Sequence, residues 1–110
     1  MSPITILVRV KVKAGKEEEF YALAAEAVKS TRAKDDGCIT YIYHQHAEDA
    51  RDFFLYEQWR DQEALQAHLN RLIQEYGPAR EGELVPAAIR DLWDTVQIDL
   101  YNVIEQKTRT

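Results

Sequence analysis

The chain has 110 residues, of which 45% are hydrophobic and 30% charged, and its formal net charge is −5. This length fits one domain, and the composition excludes a disordered or fibrous protein. The 14 lysine and arginine residues are scattered and outnumbered by 19 acidic residues, which argues against a nucleic-acid or anionic-membrane surface. We predict one domain over residues 1–110, with a core over 4–104 and a polar tail over 105–110.

The location of the protein is predicted from its cysteine content and its N-terminal residues. A single cysteine, Cys38, leaves no internal disulfide, which favours a reducing compartment. The first residues lack the basic region and the long apolar region of a signal peptide. No stretch approaches the roughly 18 apolar residues of a membrane span. The sequence therefore predicts a cytoplasmic protein without a membrane partner.

The first half of the chain alternates between strand and helix patterns. Residues 4–13 have a two-residue apolar period, which predicts a strand with one strongly apolar face. Residues 16–33 have apolar side chains at helical spacing, which predicts an amphipathic helix. The turn Asp35-Asp36-Gly37 ends this helix, and a second strand follows over residues 38–46.

The middle of the chain predicts a hairpin that leads into a second long helix. The polar segment from Ala47 to Asp52 is expected to connect the second strand to a third strand over residues 53–59. Asp61 suits the N-cap of the following helix, because its short carboxylate can accept a hydrogen bond from the first turn. Gly77-Pro78 is expected to end that helix.

The C-terminal part predicts one short helix and one strand. Pro86 is the expected first residue of a helix that ends near Trp93, because proline is favoured at the first helical position. Residues 95–104 alternate again and are predicted to form the last strand. The polar residues that follow are expected to form a loose tail.

The element order predicts an α+β fold of the ferredoxin-like βαββαβ type, with a four-stranded antiparallel sheet and the helices on one face. Two helices cover only one face of such a sheet. The strands nevertheless carry apolar residues on both faces, as the neighbours Leu7 and Val8 or Phe53 and Phe54 illustrate. The second face therefore needs a cover, and we predict a homodimer that pairs sheet to sheet.

Three segments resemble the antibiotic biosynthesis monooxygenase (ABM) domain, and the resemblance covers residues 4–104. The segments are Gly37-Cys38 with Tyr41 and Tyr43, then Phe54-Leu55-Tyr56-Glu57-Gln58-Trp59, then Ala64-Leu65 with Ala67-His68-Leu69. The resemblance implies a dimeric α/β barrel of ferredoxin-like protomers. It also implies a quinol monooxygenase-like activity, in which a small phenolic or quinol-type aromatic reacts with molecular oxygen without flavin, haem or metal.

The same resemblance leaves other functions open, because a fold hosts several chemistries. Some relatives degrade haem, and others isomerise small sugar-like molecules. The haem-degrading pattern is disfavoured here, because Val8 stands where its asparagine is expected and His68 where its tryptophan is expected, and no histidine follows. An isomerase or a non-catalytic small-molecule binding module on the same barrel remains the alternative.

Three residues are predicted to be catalytic by their match to the family. A neutral imidazole at His68 would accept a phenolic proton, Tyr43 would position the ring oxygens, and Trp59 would stack on the substrate or narrow the cavity. Each of these residues also has a structural interpretation. His68 would then be a satisfied core histidine bonded to a carboxylate such as Glu57, while Tyr43 and Trp59 would be packing residues.

Four further residues are predicted to contact the substrate: Tyr41, His44, Glu57 and Arg80. Glu57 shares a strand face with apolar residues, so its carboxylate needs a partner and has a structural role or orients His68. Arg80 would hold an oxyanion at the cavity mouth, or it is a solvated loop residue. We predict no metal site and no cofactor, because His44 and His46 lack an evident third ligand.

Overall fold

A computed structural model of the protein describes residues 3–107. Within this range the elements are β1 (Ile4–Val12), α1 (Glu17–Lys34), β2 (Cys38–His46), β3 (Asp49–Trp59), α2 (Gln62–Tyr76), α3 (Ala87–Arg90) and β4 (Trp93–Asn102). The four strands form an antiparallel sheet in the order β2-β3-β1-β4. The predicted ferredoxin-like fold is confirmed.

The hairpin between β2 and β3 is tighter than predicted, because β3 begins at Asp49. The polar residues of this segment pair with the neighbouring strand instead of forming a loop. The Lys11 ammonium donates to the Asp49 carboxylate at 2.5 Å, and Arg51 Nε donates to the Val12 carbonyl at 2.7 Å. Strand β4 likewise begins two residues early, since Trp93 pairs with Val12 across a bulge.

The core lies between one face of the sheet and helices α1 and α2. Strand β1 buries every second side chain, and each of these is at most 8% exposed. The buried residues of α1 that pack over the sheet include Phe20, Ala24 and Ala27. Burial of one sheet face by two amphipathic helices is the stable solution for this layer arrangement. The other face of the sheet carries no helix within the described range.

The caps of α2 confirm two sequence predictions and correct a third. Asp61 Oδ1 accepts a hydrogen bond from the Ala64 backbone N–H at 2.9 Å, and Gly77 ends the helix with a φ of 97°. Pro86 is the N-cap of α3 rather than its first residue. No helix of residues 3–107 is long and apolar enough to cross a membrane.

Gly37 lies where the turn before β2 touches the first turn of α2, and we expect Gly37→Ala to destabilise the fold. A Cβ atom at this position would stand 2.3 Å from the Ala64 Cβ, which forces one element to shift. Overpacking of this kind costs about 1–3 kcal/mol in the free energy of unfolding. Denaturant unfolding of Gly37→Ala, Ala64→Gly and the double variant would measure it. If Ala64→Gly destabilised the Gly37→Ala variant as much as it destabilises the wild type, the clash between the two Cβ atoms would not be the cause.

Candidate active site

A cavity of about 80 Å³ lies between the sheet and the helices. Its floor is the helix-covered face of β1, β2 and β3, and its roof is α2 with the inner side of α1. Most of its wall is aliphatic. The polar side chains on the wall belong to Tyr41, Tyr43, Glu57, His68 and Trp93. An apolar cavity with a few convergent polar groups is the usual form of a small-molecule site.

His68 projects from α2 and is hydrogen-bonded to Asp35, the residue that follows the last turn of α1. Its Nδ1 lies 2.7 Å from Asp35 Oδ2, and the two side chains are 2% and 7% exposed. Because a carboxylate only accepts, Nδ1 carries the proton of the neutral ring. The second ring nitrogen, Nε2, is then the acceptor of the neutral ring, and the residue lines the cavity.

Arg71 fixes Asp35 in this position with two parallel hydrogen bonds. Its Nε donates to Asp35 Oδ1 at 2.9 Å, and its Nη2 donates to Asp35 Oδ2 at 2.8 Å. The guanidinium also donates to Thr31 and to Glu75. A bidentate pair of this kind orients a carboxylate more precisely than a single contact would. The result is an ordered chain of hydrogen bonds that joins Arg71 to Asp35 and Asp35 to His68, which lines the cavity.

Burial and the neighbouring charges set the protonation states of His68 and Asp35. Burial lowers the pKa of His68 although the hydrogen bond and the charge of Asp35 raise it, so the imidazole is neutral at neutral pH. Burial alone would raise the pKa of Asp35, but the hydrogen bonds from Arg71 and His68 outweigh it and hold that pKa below its usual value. A neutral imidazole beside an ionised carboxylate is a competent proton acceptor.

Glu57 is a second titratable group on the cavity wall. Its side chain accepts a hydrogen bond from Trp59 Nε1 at 2.6 Å, and the residue is 6% exposed. Burial raises the pKa of Glu57 to about 7, while the bond from Trp59 limits the rise. The carboxyl group of Glu57 is therefore partly protonated at neutral pH, as that of a catalytic acid or base often is.

Tyr41 and Tyr43 complete the polar part of the wall. Their rings meet edge to face with centroids 6.0 Å apart, and the Tyr41 ring lies 5.2 Å from the His68 ring. Burial raises the pKa of Tyr41 well above its usual value and also raises that of Tyr43. Both hydroxyls therefore remain protonated, with Thr31 beside the Tyr41 hydroxyl and the Tyr41 hydroxyl beside that of Tyr43.

Three predicted site residues lie outside this wall. Trp59 is fully buried behind it, bonded to Glu57 and with its ring 4.6 Å from the His68 ring, so it supports these two residues rather than the substrate. His44 is exposed on the opposite face of the sheet, where it stacks on Phe54 at 4.3 Å. Arg80 pairs with Asp91 on the surface at 2.8 Å. None of these three residues lines the cavity, and their contact with a substrate stays a prediction.

Other residues of the site were missed by the sequence analysis. Asp35 was interpreted only as part of a turn, yet it supplies the carboxylate that bonds His68, for which the structural interpretation had offered Glu57 as an example. Trp93 and Leu84 line the cavity from the C-terminal third of the chain. The sequence held no periodic signal for Leu84, because it lies in a loop. The pairing across 33 positions between Asp35 and His68 depends on how α1 and α2 pack.

The described residues contain no group of three or more His, Cys, Asp or Glu side chains that would hold a metal ion. His44 and His46 instead make separate contacts, since His44 Nδ1 lies 3.3 Å from the Phe54 carbonyl and His46 Nδ1 accepts from the Glu48 N–H. Cys38 is half-buried, and burial raises the pKa of its thiol to about 11, which disfavours a thiolate.

We expect Trp59→Phe to raise the pKa of Glu57 further above 7, because it deletes the hydrogen bond that favours the ionised carboxylate. NMR titration of carboxyl-labelled glutamate would measure the change. Trp93→Phe is the matched control, since Trp93 is also buried but its indole N–H has no hydrogen-bond partner among residues 3–107. An equal shift in both variants would mean that lost packing, and not the lost bond, moves the pKa.

The sequence profile of the antibiotic biosynthesis monooxygenase (ABM) family matches residues 3–75, which is more than half of the chain. The chain belongs to this family. The matched part of this ABM protein includes Asp35, Glu57 and His68. It does not include Leu84 and Trp93, so the C-terminal side of the cavity lies outside the matched region.

Known proteins resemble this ABM chain in sequence and in fold. The uncharacterized protein sll1783 of Synechocystis sp. is 35% identical over 66 residues, which are 60% of this chain but only 44% of that protein. PA3566 from Pseudomonas aeruginosa superposes with a TM-score of 0.74 at 26% identity, over 96% of this chain and 97% of its own.

A mutant of SnoaB, a cofactor-independent oxygenase from Streptomyces nogalater, superposes with a TM-score of 0.70. The superposition covers 96% of this chain and 97% of that chain. The two sequences are 20% identical, so this likeness shows a shared fold and no more.

Proposed function

We propose that this ABM protein is a cofactor-independent monooxygenase that oxidises a small phenolic or quinol-type aromatic with molecular oxygen. The observation that carries the proposal is the Asp35–His68 pair, which ends in a neutral imidazole at the wall of an apolar cavity. Membership of the ABM family supports the same chemistry. An electron-rich phenolate reacts with oxygen directly, so the protein needs only to generate and hold it.

The first step is removal of the phenolic proton. The substrate hydroxyl donates to Nε2 of His68, which takes the proton, and the ionised Asp35 stabilises the resulting imidazolium. The hydroxyls of Tyr41 and Tyr43 donate hydrogen bonds to the oxygens of the anion. Because the wall is mostly aliphatic, little water competes for these bonds and their electrostatic effect is large.

The second step joins oxygen to the ring. The phenolate passes one electron to molecular oxygen, and the resulting radical and superoxide combine at a ring carbon to form a carbon–oxygen bond. The His68 imidazolium returns its proton to the peroxide. The hydrogen on the same carbon then leaves as a proton, the oxygen–oxygen bond breaks, and hydroxide departs as water. The balance is phenol plus oxygen to quinone plus water.

Oxygen consumption by the purified, metal-free protein tests the proposal. We expect uptake above the autoxidation of the buffer control with at least one member of a panel of hydroquinones and naphthols. In His68→Ala we expect a loss of about 100-fold or more, the usual contribution of a general base. His44→Ala is the matched histidine control and should retain full activity. Uptake that is absent across the panel, or that survives in His68→Ala, would contradict this function.

A second candidate is an isomerase that moves a proton without consuming oxygen. Glu57 favours it, because a carboxyl group whose pKa is about 7 shares the cavity with a neutral histidine. Such an acid and base pair protonates one atom of a ketone while it deprotonates another. Exchange of substrate C–H for deuterium in heavy water without oxygen uptake would identify this activity. Binding with neither reaction would indicate a binding module.

We also propose that two copies pair through the helix-free faces of their sheets. The register aligns Ile42, Tyr56 and Leu7 in one row across three neighbouring strands of that face. Ile42 is 48% exposed, although it belongs to an apolar row. An apolar row of this kind suits a self-complementary contact between two copies.

We expect Ile42→Asp to convert a dimer to a monomer, because it would bury an unpaired charge in the contact. Multi-angle light scattering at micromolar concentration would measure the mass. Ile73→Asp is the matched control, since Ile73 is 38% exposed but lies on α2. A wild-type mass of about 12.8 kDa, that of one chain, would refute the pairing.

A further inference from the structure

The size of the cavity limits the substrate. Its volume of about 80 Å³ is close to half of the roughly 150 Å³ cavity that encloses benzene in an apolar core. It is well below the roughly 300–1,000 Å³ of sites that enclose drug-sized ligands. A fused two-ring or three-ring aromatic therefore extends further out of it than a single ring does. A single ring fits if one edge of the ring reaches into the mouth.

The charge of the wall limits the substrate further. Among residues 3–107, none of those that line the cavity is lysine or arginine. Arg71 of α2 pairs with Asp35, and Arg80 pairs with Asp91. A carboxylate or phosphate buried here would face Glu57 without a cation, which is costly. The wall therefore selects against anionic substrates, phosphorylated ones included. A cationic substrate would also lose its hydration against a mostly aliphatic wall, where burial keeps Glu57 partly protonated, and this is costly as well.

The mouth of the cavity is formed by a loop whose ends are fixed. Ala79 and Pro86 form a bridge, and the Ala87 N–H donates to the Pro78 carbonyl at 2.9 Å. The tip of this loop brings Leu84 to the cavity, where it remains 58% exposed. Ile98 of β4, which is 43% exposed, lines the mouth from the sheet. The opening is therefore apolar.

On the basis of the proposed function, we propose that the substrate is an uncharged aromatic with one ring, a phenol or a hydroquinone, and that Leu84 sets the size limit. The hydroxyl end of the ring lies among His68, Tyr41 and Tyr43, and the opposite edge lies against Leu84. Because Leu84 lies outside the segment that matches the ABM family, substrate size is set separately from the proton-transfer residues.

Binding under anaerobic conditions tests the ligand class apart from turnover. The probes are hydroquinone, benzoate, benzylamine and 1-naphthol, titrated by calorimetry against the intact protein. We expect hydroquinone to bind about tenfold more tightly than each of the other three, which corresponds to about 1.4 kcal/mol. Benzoate, benzylamine or 1-naphthol binding as tightly as hydroquinone would overturn the inference.

Leu84→Ala tests the size limit. We expect it to bind 1-naphthol about fivefold or more tightly than the wild type does, because it widens the mouth, while hydroquinone binding changes less. Leu100→Ala is the matched control, since Leu100 is 57% exposed but does not line the cavity. Equal effects of both variants would overturn the role of Leu84.

Different results would contradict the monooxygenase function and the inferred ligand class. Selective hydroquinone binding without oxygen uptake would overturn the monooxygenase function and leave the ligand class intact. Oxygen uptake with fused-ring phenols but not with hydroquinone would support the monooxygenase and overturn the inference about size.

Discussion

Asp35→Asn is expected to lower the free energy of unfolding by about 3 kcal/mol, because it breaks a buried pair and removes one of the two anions bonded to Arg71. Oxygen uptake should fall by about 100-fold or more as well, since the imidazolium of His68 loses its counter-charge. Denaturant unfolding and oxygen consumption at one pH would measure the two effects. Asp36→Asn is the matched control, because Asp36 is the exposed neighbour in the same turn.

The pH profile separates a positioning role for Asp35 from a purely structural one. Asp35 raises the pKa of His68, so Asp35→Asn should lower that pKa further. The acidic limb of the activity profile, where His68 becomes protonated, should then move to lower pH. Nitrogen-15 NMR of the imidazole should also show that Nδ1 no longer holds the proton exclusively. If activity fell while the acidic limb of the profile and the tautomer of His68 stayed as in the wild type, Asp35 would have a structural role only.

Glu57→Gln is expected to change how stability depends on pH. Glu57 has a pKa of about 7 in the folded chain, whereas an unperturbed glutamate titrates at 4.5. Between these values the folded state binds the proton and the unfolded state does not. The stability contributed by the protonated group is therefore complete below pH 4.5 and is lost as the pH rises through 7. The loss is on the order of 3 kcal/mol in the free energy of unfolding.

Comparing the wild type with Glu57→Gln separates the titration of Glu57 from that of His68, because both proteins contain His68. The pKa of His68 is lowered in the folded state, so its contribution has the opposite sign and is lost as the pH falls. We expect the wild type to lose stability relative to Glu57→Gln between pH 4.5 and 7.5 in urea unfolding. Glu26→Gln, at an exposed position of α1, should run parallel to the wild type. A constant difference between wild type and Glu57→Gln would contradict the buried titration.

The fold was predictable because its signals are local. The two-residue period of β1 and the cap at Asp61 each depend on residues close in sequence, and the structure has both. The boundaries of β3 were less predictable, because Asp49 and Arg51 are polar and were interpreted as loop. Their hydrogen bonds reach β1, nearly 40 positions away, and such bonds leave no periodic pattern.

The candidate site was predictable in part. The side chains of Tyr41, Tyr43, Glu57 and His68 were expected to meet, and they line one cavity. Trp59 was expected to contact the substrate, but its indole bonds to Glu57 and fills the core. Alternation along a strand decides which face a residue occupies, but it does not decide whether that residue lies at the cavity surface or behind it.

By itself, the sequence determined the order of elements, the apolar face of each strand and the presence of an imidazole and a carboxyl group on the inner side of the sheet. Only the tertiary structure decided that His68 pairs with Asp35 rather than with Glu57, and that Leu84 lines the cavity. The physical reason is that periodicity and capping act over a few residues. The partner of a buried polar group depends instead on which chain segments pack together across the core.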